Sequence, residues 1–205
     1  YSTASPAIES RQLSRTSLAA KRTVDIIGSV LLLVLAAPII AIAAVVVRTV
    51  SPGPAIFRQQ RIGRSGSQFM MLKIRTMHTD AEERLSADPH LYKLWVENSC
   101  KLPEQIDPRF HTAGPVLRRY SLDELPQLLN VLLGSMSLVG PRPVEPIELN
   151  HHYRPLGLDA AYVSMKPGLT GLWQVSGRAG VGHPQKAQLD YEYVRSWTLR
   201  GDFKI

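Results

Sequence analysis

Between Ile26 and Val47 the chain reads IIGSVLLLVLAAPIIAIAAVVV, 22 residues without a charge and the strongest hydrophobic signal along its length. As one straight helix this run extends about 33 Å, just enough to cross a hydrocarbon core. Pro38 falls near its middle. A proline there removes a backbone hydrogen bond and clashes with the preceding turn. It either kinks a spanning helix or divides the run into arms of 12 and 10 residues, each too short to span, so that the chain enters and returns. Basic residues flank both sides: Lys21 and Arg22 before, Arg48, Arg58, Arg61 and Arg64 after. That favours both ends on the cytoplasmic face. A cleaved signal peptide is the poorer explanation, because the apolar core is too long and a polar Ser/Thr/Arg-rich leader precedes it.

After the run the periodicity changes. Pro52, Gly53 and Pro54 stop a helix, and alternating stretches around AIF and FMMLKI predict two short strands joined by the RIGRSGSQ turn. This hairpin is basic and follows the membrane segment directly, where Lys and Arg attract anionic headgroups. Helical spacing from Thr79 to about Lys101 predicts one or two surface helices, KLPEQIDPRFHTAG a loop, and AQLDYEYVRSW a helix near the end. In MKPGLTGLWQVSGRAGVGH, glycines 168, 171, 177 and 180 would let backbone amides approach a ligand, with Arg178 among them. The expected architecture is α+β, predominantly helical: a re-entrant helix-break-helix, a short β-hairpin and amphipathic interfacial helices. Residues 1–20 form a linker or tail, 21–50 the membrane segment and 51–205 a cytoplasmic catalytic domain. Because the chain opens at Tyr1 and stops at Ile205 without a polar tail, it is expected to be part of a longer product.

Composition narrows the partners. Lys and Arg number 24 against 17 Asp and Glu, a formal charge of +7, which suits an acidic partner such as anionic lipid, a phosphorylated substrate or nucleic acid. Nucleic acid is the weakest of these, since no recognition motif is present and the apolar run would go unexplained. A single cysteine, Cys100, excludes an internal disulfide and a cysteine-built zinc cage.

The chemistry concentrates in SLDELPQLLNVLLGSMSLVGPRP, residues 121–143. Ser121 and Glu124 have the spacing of a capping box. If Ser121 were the cap, however, Pro126 would fall beyond the first turn and delete a helical bond. With Asp123 as the cap no such bond is due there. A helix beginning at Asp123, with Leu125, Leu128, Leu129, Leu132 and Leu133 along one stripe and Gly134 at its end, is therefore predicted. At its mouth the dipole would lower the pKa values of Asp123 and Glu124. Arg118, Arg119 and Arg142 supply charge suited to phosphate oxygens. Carboxylates beside bound phosphates also suit Mg²⁺.

These residues carry a resemblance. KRTVDIIGSVLLLVLAAPII, SPGPAIFRQQRIGRSG, KIRTM, RRYSLDELPQLLNVLLGSMSLVGPRP and KPGLTGLWQVSGR occur in the order found in the bacterial sugar transferases, the monotopic polyprenyl-phosphate hexose-1-phosphate transferases. The resemblance implies transfer of a sugar 1-phosphate from a UDP-sugar to undecaprenyl phosphate with release of UMP, the first membrane step of exopolysaccharide, O-antigen or glycoprotein glycan assembly. It implies that Asp123 attacks the phosphorus and forms a covalent phosphosugar-aspartate, that Glu124 assists, and that both meet Mg²⁺. Lys73, Arg75, Arg118, Arg142, Gln174, Arg178 and Asp190 match the family's substrate-binding positions. By the same resemblance the apolar segment is re-entrant at a proline like Pro38, the catalytic domain lies on the cytoplasmic face of the bacterial inner membrane among its lipids, and a homodimer is compatible. His111, Thr112 and Pro115 depart from the family pattern after Asp107-Pro-Arg109, and no residue selects the sugar. The reading from another class is a non-catalytic, membrane-associated binding module, which would have no need of Asp123.

Overall fold

A computed structural model describes residues 14–97, 102–177, 182 and 184–205. In chain order its elements are α1 (Arg15–Val50), β1 (Ile56–Ile62), β2 (Gln68–Ile74), α2 (Ala81–Ser86), α3 (Pro89–Glu97), α4 (Gly114–Arg119), α5 (Gln127–Leu133) and β3 (Ser137–Val139). There follow α6 (Pro146–Glu148), α7 (Asp159–Tyr162), β4 (Gly168–Thr170), α8 (Leu172–Val175), α9 (Gln185–Ser196) and α10 (Leu199–Asp202). The α+β, mainly helical class expected from the pattern is the one observed.

Helix α1 runs without interruption through Pro38. The expected helix-break-helix is thus one helix that accommodates its proline. It also begins at Arg15, inside the stretch expected to be linker, because Leu18, Ala19 and Ala20 are strong helix formers that extend it backward. Its most apolar 18-residue window is only 17% buried, with Leu31, Val34, Leu35, Ile42 and Val45 exposed. A core helix of a soluble protein would bury these side chains, so an outward apolar surface of this kind points to membrane association.

The chain compacts into two units. One comprises Tyr1–Val34, Gln59–Met71 and Gln127–Ile205; the other Leu35–Arg58 and Leu72–Pro126. In the second unit Ala43 and Val47 of α1 pack with Ala55, Ile74 and Leu117, so the otherwise exposed helix buries a small-residue stripe. The turn after α1 is clamped by Arg75, which donates to the carbonyls of Ser51 and Pro54 and to the Ser51 hydroxyl, each at 2.8 Å.

Strands β1 and β2 form the expected hairpin as a separate two-stranded sheet. A second sheet was not foreseen: β3 and β4 pair in parallel, Ser137 opposite Gly168 and Val139 opposite Thr170. Three-residue strands leave too little alternation to read from sequence. The pairing explains two glycines expected to cradle a ligand. A Cβ on Gly168 would collide with the Gly140 amide, and one on Gly171 with the Gly140 carbonyl. Gly140 donates to the Thr170 carbonyl at 2.9 Å, and Gly168 to that of Pro141 at 2.8 Å. These amides serve strand contact, not a ligand. Asp25, buried on α1, accepts from the Ser137 hydroxyl and the Leu138 amide, both at 2.9 Å. Lys21 donates to the Val139 carbonyl at 2.9 Å and to Asp202 at 2.6 Å. Ile62, Val144, Leu149, Tyr153, Tyr162 and Ala187 form the first unit's main core cluster.

Candidate active site

The carboxylate pair does not open a helix. Ser121 takes a left-handed conformation, φ 54°, ψ 25°, which a non-glycine residue adopts only at a cost. Its side chain makes no capping bond, and Leu122–Glu124 form a 3₁₀ turn. Helix α5 starts at Gln127, after Pro126. Asp123 as N-cap is therefore corrected: the proline initiates the helix, and the pair lies in the turn before it. The leucine stripe is corrected with it. Leu128 and Val131 are buried with Gln127 and Asn130, whereas Leu129 and Leu133 are exposed, the latter to 79%.

Within the second unit the turn brings Asp123 and Glu124 together with Lys73 of β2 and Arg118 of α4. Glu124 Oε1 stands 3.6 Å from Lys73 Nζ. Asp123 is 7% exposed. Burial raises its pKa, Lys73 and Arg118 pull it down, and Glu124 pushes it up again. The net direction is upward, which overturns the expected dipole-lowered value: desolvation outweighs the nearby cations, and a single 3₁₀ turn has little aligned dipole. Arg118 is itself oriented, its guanidinium donating to Thr76 at 3.2 Å and lying 4.5 Å from the Phe110 ring centroid.

Arg75, expected among the phosphate contacts, is directed elsewhere. It is buried, and the bonds to Ser51 and Pro54 occupy its guanidinium. One of the departures from the family pattern supports it: His111, 1% exposed, meets the Arg75 carbonyl through Nε2 at 2.8 Å. Sequence reasoning found this histidine unusual without seeing its role, because its partner is 36 residues away.

The remaining candidates lie in the first unit. Arg142 follows β3, its guanidinium 5.0 Å from the Trp173 ring centroid, with Lys186 Nζ also at 5.0 Å from that ring. Trp173 and Lys186 were not foreseen; cation–π pairing has no local spacing rule to betray it. Buried Trp173 Nε1 and Gln174 Oε1 have no hydrogen-bond partner among the described residues. Asp190, 1% exposed, accepts from Tyr153 Oη at 2.7 Å and from the Arg142 amide at 3.2 Å. Burial raises it to about 7 despite those bonds. Enclosed in this way, it fixes the backbone that carries Arg142 and presents no open face for a solute. Arg178 and Gly180 lie outside the described residues.

The described site is thus a buried carboxylate beside cations, on a chain whose long helix exposes apolar side chains. The comparisons agree: the chain belongs to the bacterial sugar transferase family, whose profile matches residues 16–205. It is 42% identical over 202 residues to a Salmonella typhimurium protein named undecaprenyl-phosphate galactose phosphotransferase, covering 97% of this chain and 41% of that relative. It is 40% identical over 193 residues to the exopolysaccharide production protein ExoY of Rhizobium meliloti, covering 91% and 81%. To the UDP-glucose:undecaprenyl-phosphate glucose-1-phosphate transferase of Caulobacter vibrioides it is 39% identical over 190 residues, covering 90% and 66%. The chain thus spans about two fifths of the Salmonella relative and four fifths of ExoY.

Proposed function

We propose that this chain transfers a sugar 1-phosphate from a UDP-sugar to undecaprenyl phosphate, with Asp123 as nucleophile. The observation that carries the reading is the contrast within the pair: Glu124 faces Lys73 as an ion pair, while Asp123 is buried beside the same lysine and Arg118 with no side-chain donor to it among the described residues. A carboxylate tied into strong hydrogen bonds is a poor nucleophile, whereas one held partly desolvated near cations keeps a lone pair for phosphorus.

In the first step an Asp123 oxygen attacks the sugar-bearing phosphorus, the bond from that phosphorus to the bridging oxygen breaks, and UMP leaves with the electron pair. In the second, a phosphate oxygen of the lipid attacks the same phosphorus and the aspartyl–phosphorus bond breaks, restoring the carboxylate. Neither step requires a net proton transfer, so Asp123 must be ionised when substrate binds. Lys73 and Arg118 oppose charge building on the phosphoryl oxygens. Arg142, Gln174 and Arg178 are proposed as further substrate contacts on the resemblance alone.

Asp123 and Glu124 also fit Mg²⁺, which is commonly held by one or two carboxylates together with substrate phosphates and water. Bound there, Mg²⁺ would neutralise diphosphate charge. Placement of both ends of α1 on the cytoplasmic face belongs to the same proposal and is supported by its basic flanks.

The deciding experiment incubates the protein with a UDP-sugar and Mg²⁺ but no lipid acceptor. Release of UMP with a phosphosugar mass adduct on Asp123, both absent in Asp123→Asn, is the expected result. Full turnover by Asp123→Asn would remove the nucleophile and return the binding-module reading.

A further inference from the structure

The first unit contains a cavity of about 150 Å³ lined by Leu18, Lys21, Arg22, Asp25, Arg64, Ser137, Ser164, Met165 and Lys166. This is roughly five water volumes, room for a phosphate group. Its charge is lopsided, with four cations around one carboxylate. Asp25 is committed to Ser137 and Leu138, and Lys21 to Asp202. Arg22 uses two donors on the α5 carbonyls of Val131 and Leu132, at 2.6 and 2.7 Å, leaving its other N–H groups.

Arg22 and Lys166 converge on one spot: a Cβ placed on Gly134 would lie 3.2 Å from Arg22 Nη2 and 3.4 Å from Lys166 Nζ. Lys166, half-buried, has no ion pair or hydrogen bond among the described residues, and neither does the exposed guanidinium of Arg64. Burial, together with repulsion from Arg22 and Arg64 and against the pull of Asp25, lowers the Lys166 pKa. With Lys21 paired to Asp202, the cavity lining carries Arg22, Arg64 and Lys166 against the single carboxylate of Asp25, a net positive charge that an anion would offset.

Depth along α1 says which anion. The lining residues Leu18 to Asp25 immediately precede Ile26, and beyond them Ile27, Val30, Leu31 and Val34 are exposed. If that apolar surface lies in acyl chains, the cavity lies at the level of the headgroups. We propose that Arg22, Arg64 and Lys166 form a phosphoryl-anion site that seats the headgroup phosphate of an anionic membrane lipid. The inference rests on α1 lying in lipid and is independent of the chemistry at Asp123. All nine lining residues belong to the first unit, whereas Asp123 and Glu124 belong to the second.

The test uses the full chain in zwitterionic nanodiscs doped with phosphatidylglycerol, with retained lipid counted by native mass spectrometry. Wild type should retain phosphatidylglycerol selectively. The double variant Arg64→Gln/Lys166→Gln should lose about 30-fold in affinity, the effect of two interfacial cations. Arg195→Gln/Arg200→Gln, which removes equal charge elsewhere on the first unit, should behave as wild type, and Lys166→Arg should preserve retention. Thermal melts establish that each variant is folded. Equal retention by wild type and double variant overturns the proposal. Binding of inorganic phosphate alone, abolished by the double variant and without preference for lipid, overturns the lipid source. Failure of the wild-type chain to enter bilayers removes the membrane reading as well, a result distinct from entry without selectivity.

Discussion

Asp123 and Asp190 are both buried carboxylates with raised pKa values, yet their surroundings differ. Asp190 receives the Tyr153 hydroxyl and the Arg142 amide. Asp123 has Lys73 and Arg118 nearby but no side-chain donor among the described residues. Burial with a side-chain donor suits a structural anchor, and burial beside cations without a side-chain donor suits the nucleophile proposed here. Desolvation is common to both, so it cannot distinguish them; hydrogen bonding can.

The comparison fails or stands first on Asp123→Asn, which should lower UMP release by at least about 1,000-fold while thermal melts stay near wild type. If the variant instead unfolds, Asp123 is an anchor too. The reverse pattern is expected of Asp190→Ala. Leaving Tyr153 Oη and the Arg142 amide without their acceptor should cost about 2 kcal/mol and lower Tm by roughly 4–8 °C. If the displaced Arg142 contacts substrate, the remaining activity should show a raised KM for the UDP-sugar more than a lowered kcat.

pH separates the two groups further. The proposed mechanism needs ionised Asp123, and its pKa is raised, so kcat/KM should fall with acidification at a higher pH than an ordinary carboxylate would give. Stability should move the other way at Asp190. Between its ordinary 3.8 and about 7 the folded state binds the proton and the unfolded chain does not. Its stabilising contribution is therefore fully present at low pH and lost as pH rises through about 7. Chemical denaturation of wild type across that range should show this trend, and Asp190→Asn should flatten it.

A smaller effect is expected of Arg75→Gln. Loss of the clamp on Ser51 and Pro54 should reduce stability by about 1–3 kcal/mol, with UMP release per folded molecule within a few-fold of wild type. A loss of activity as large as that from Asp123→Asn would restore Arg75 to the phosphate contacts.

Long-period features were legible without coordinates. The uncharged run forecast α1, the alternating AIF and FMMLKI stretches forecast the hairpin, and helical spacing forecast α2, α3 and α9. Proline and glycine were harder to interpret, because their roles depend on what surrounds them. Pro38 sits inside a continuous helix; Pro126 precedes α5, where it had been placed in the helix's first turn; Gly168 and Gly171 admit a neighbouring strand. At the candidate site, sequence identified Asp123, Glu124, Lys73 and Arg118 as chemically suitable. It could not separate Arg75, which is turned inward, from the others, since all are basic residues in the same motifs.

What the sequence determined by itself was therefore the lipid-compatible helix, the mixed helical class and the supply of carboxylates and cations, because these follow from composition and spacing of neighbouring residues. The tertiary structure alone decided that Asp123 has no side-chain donor among the described residues while Asp190 is bonded. It also decided that Arg75 holds a turn and that Arg22 and Lys166 line one cavity. Desolvation and hydrogen bonding depend on groups brought from distant parts of the chain, and no local pattern encodes which groups those will be.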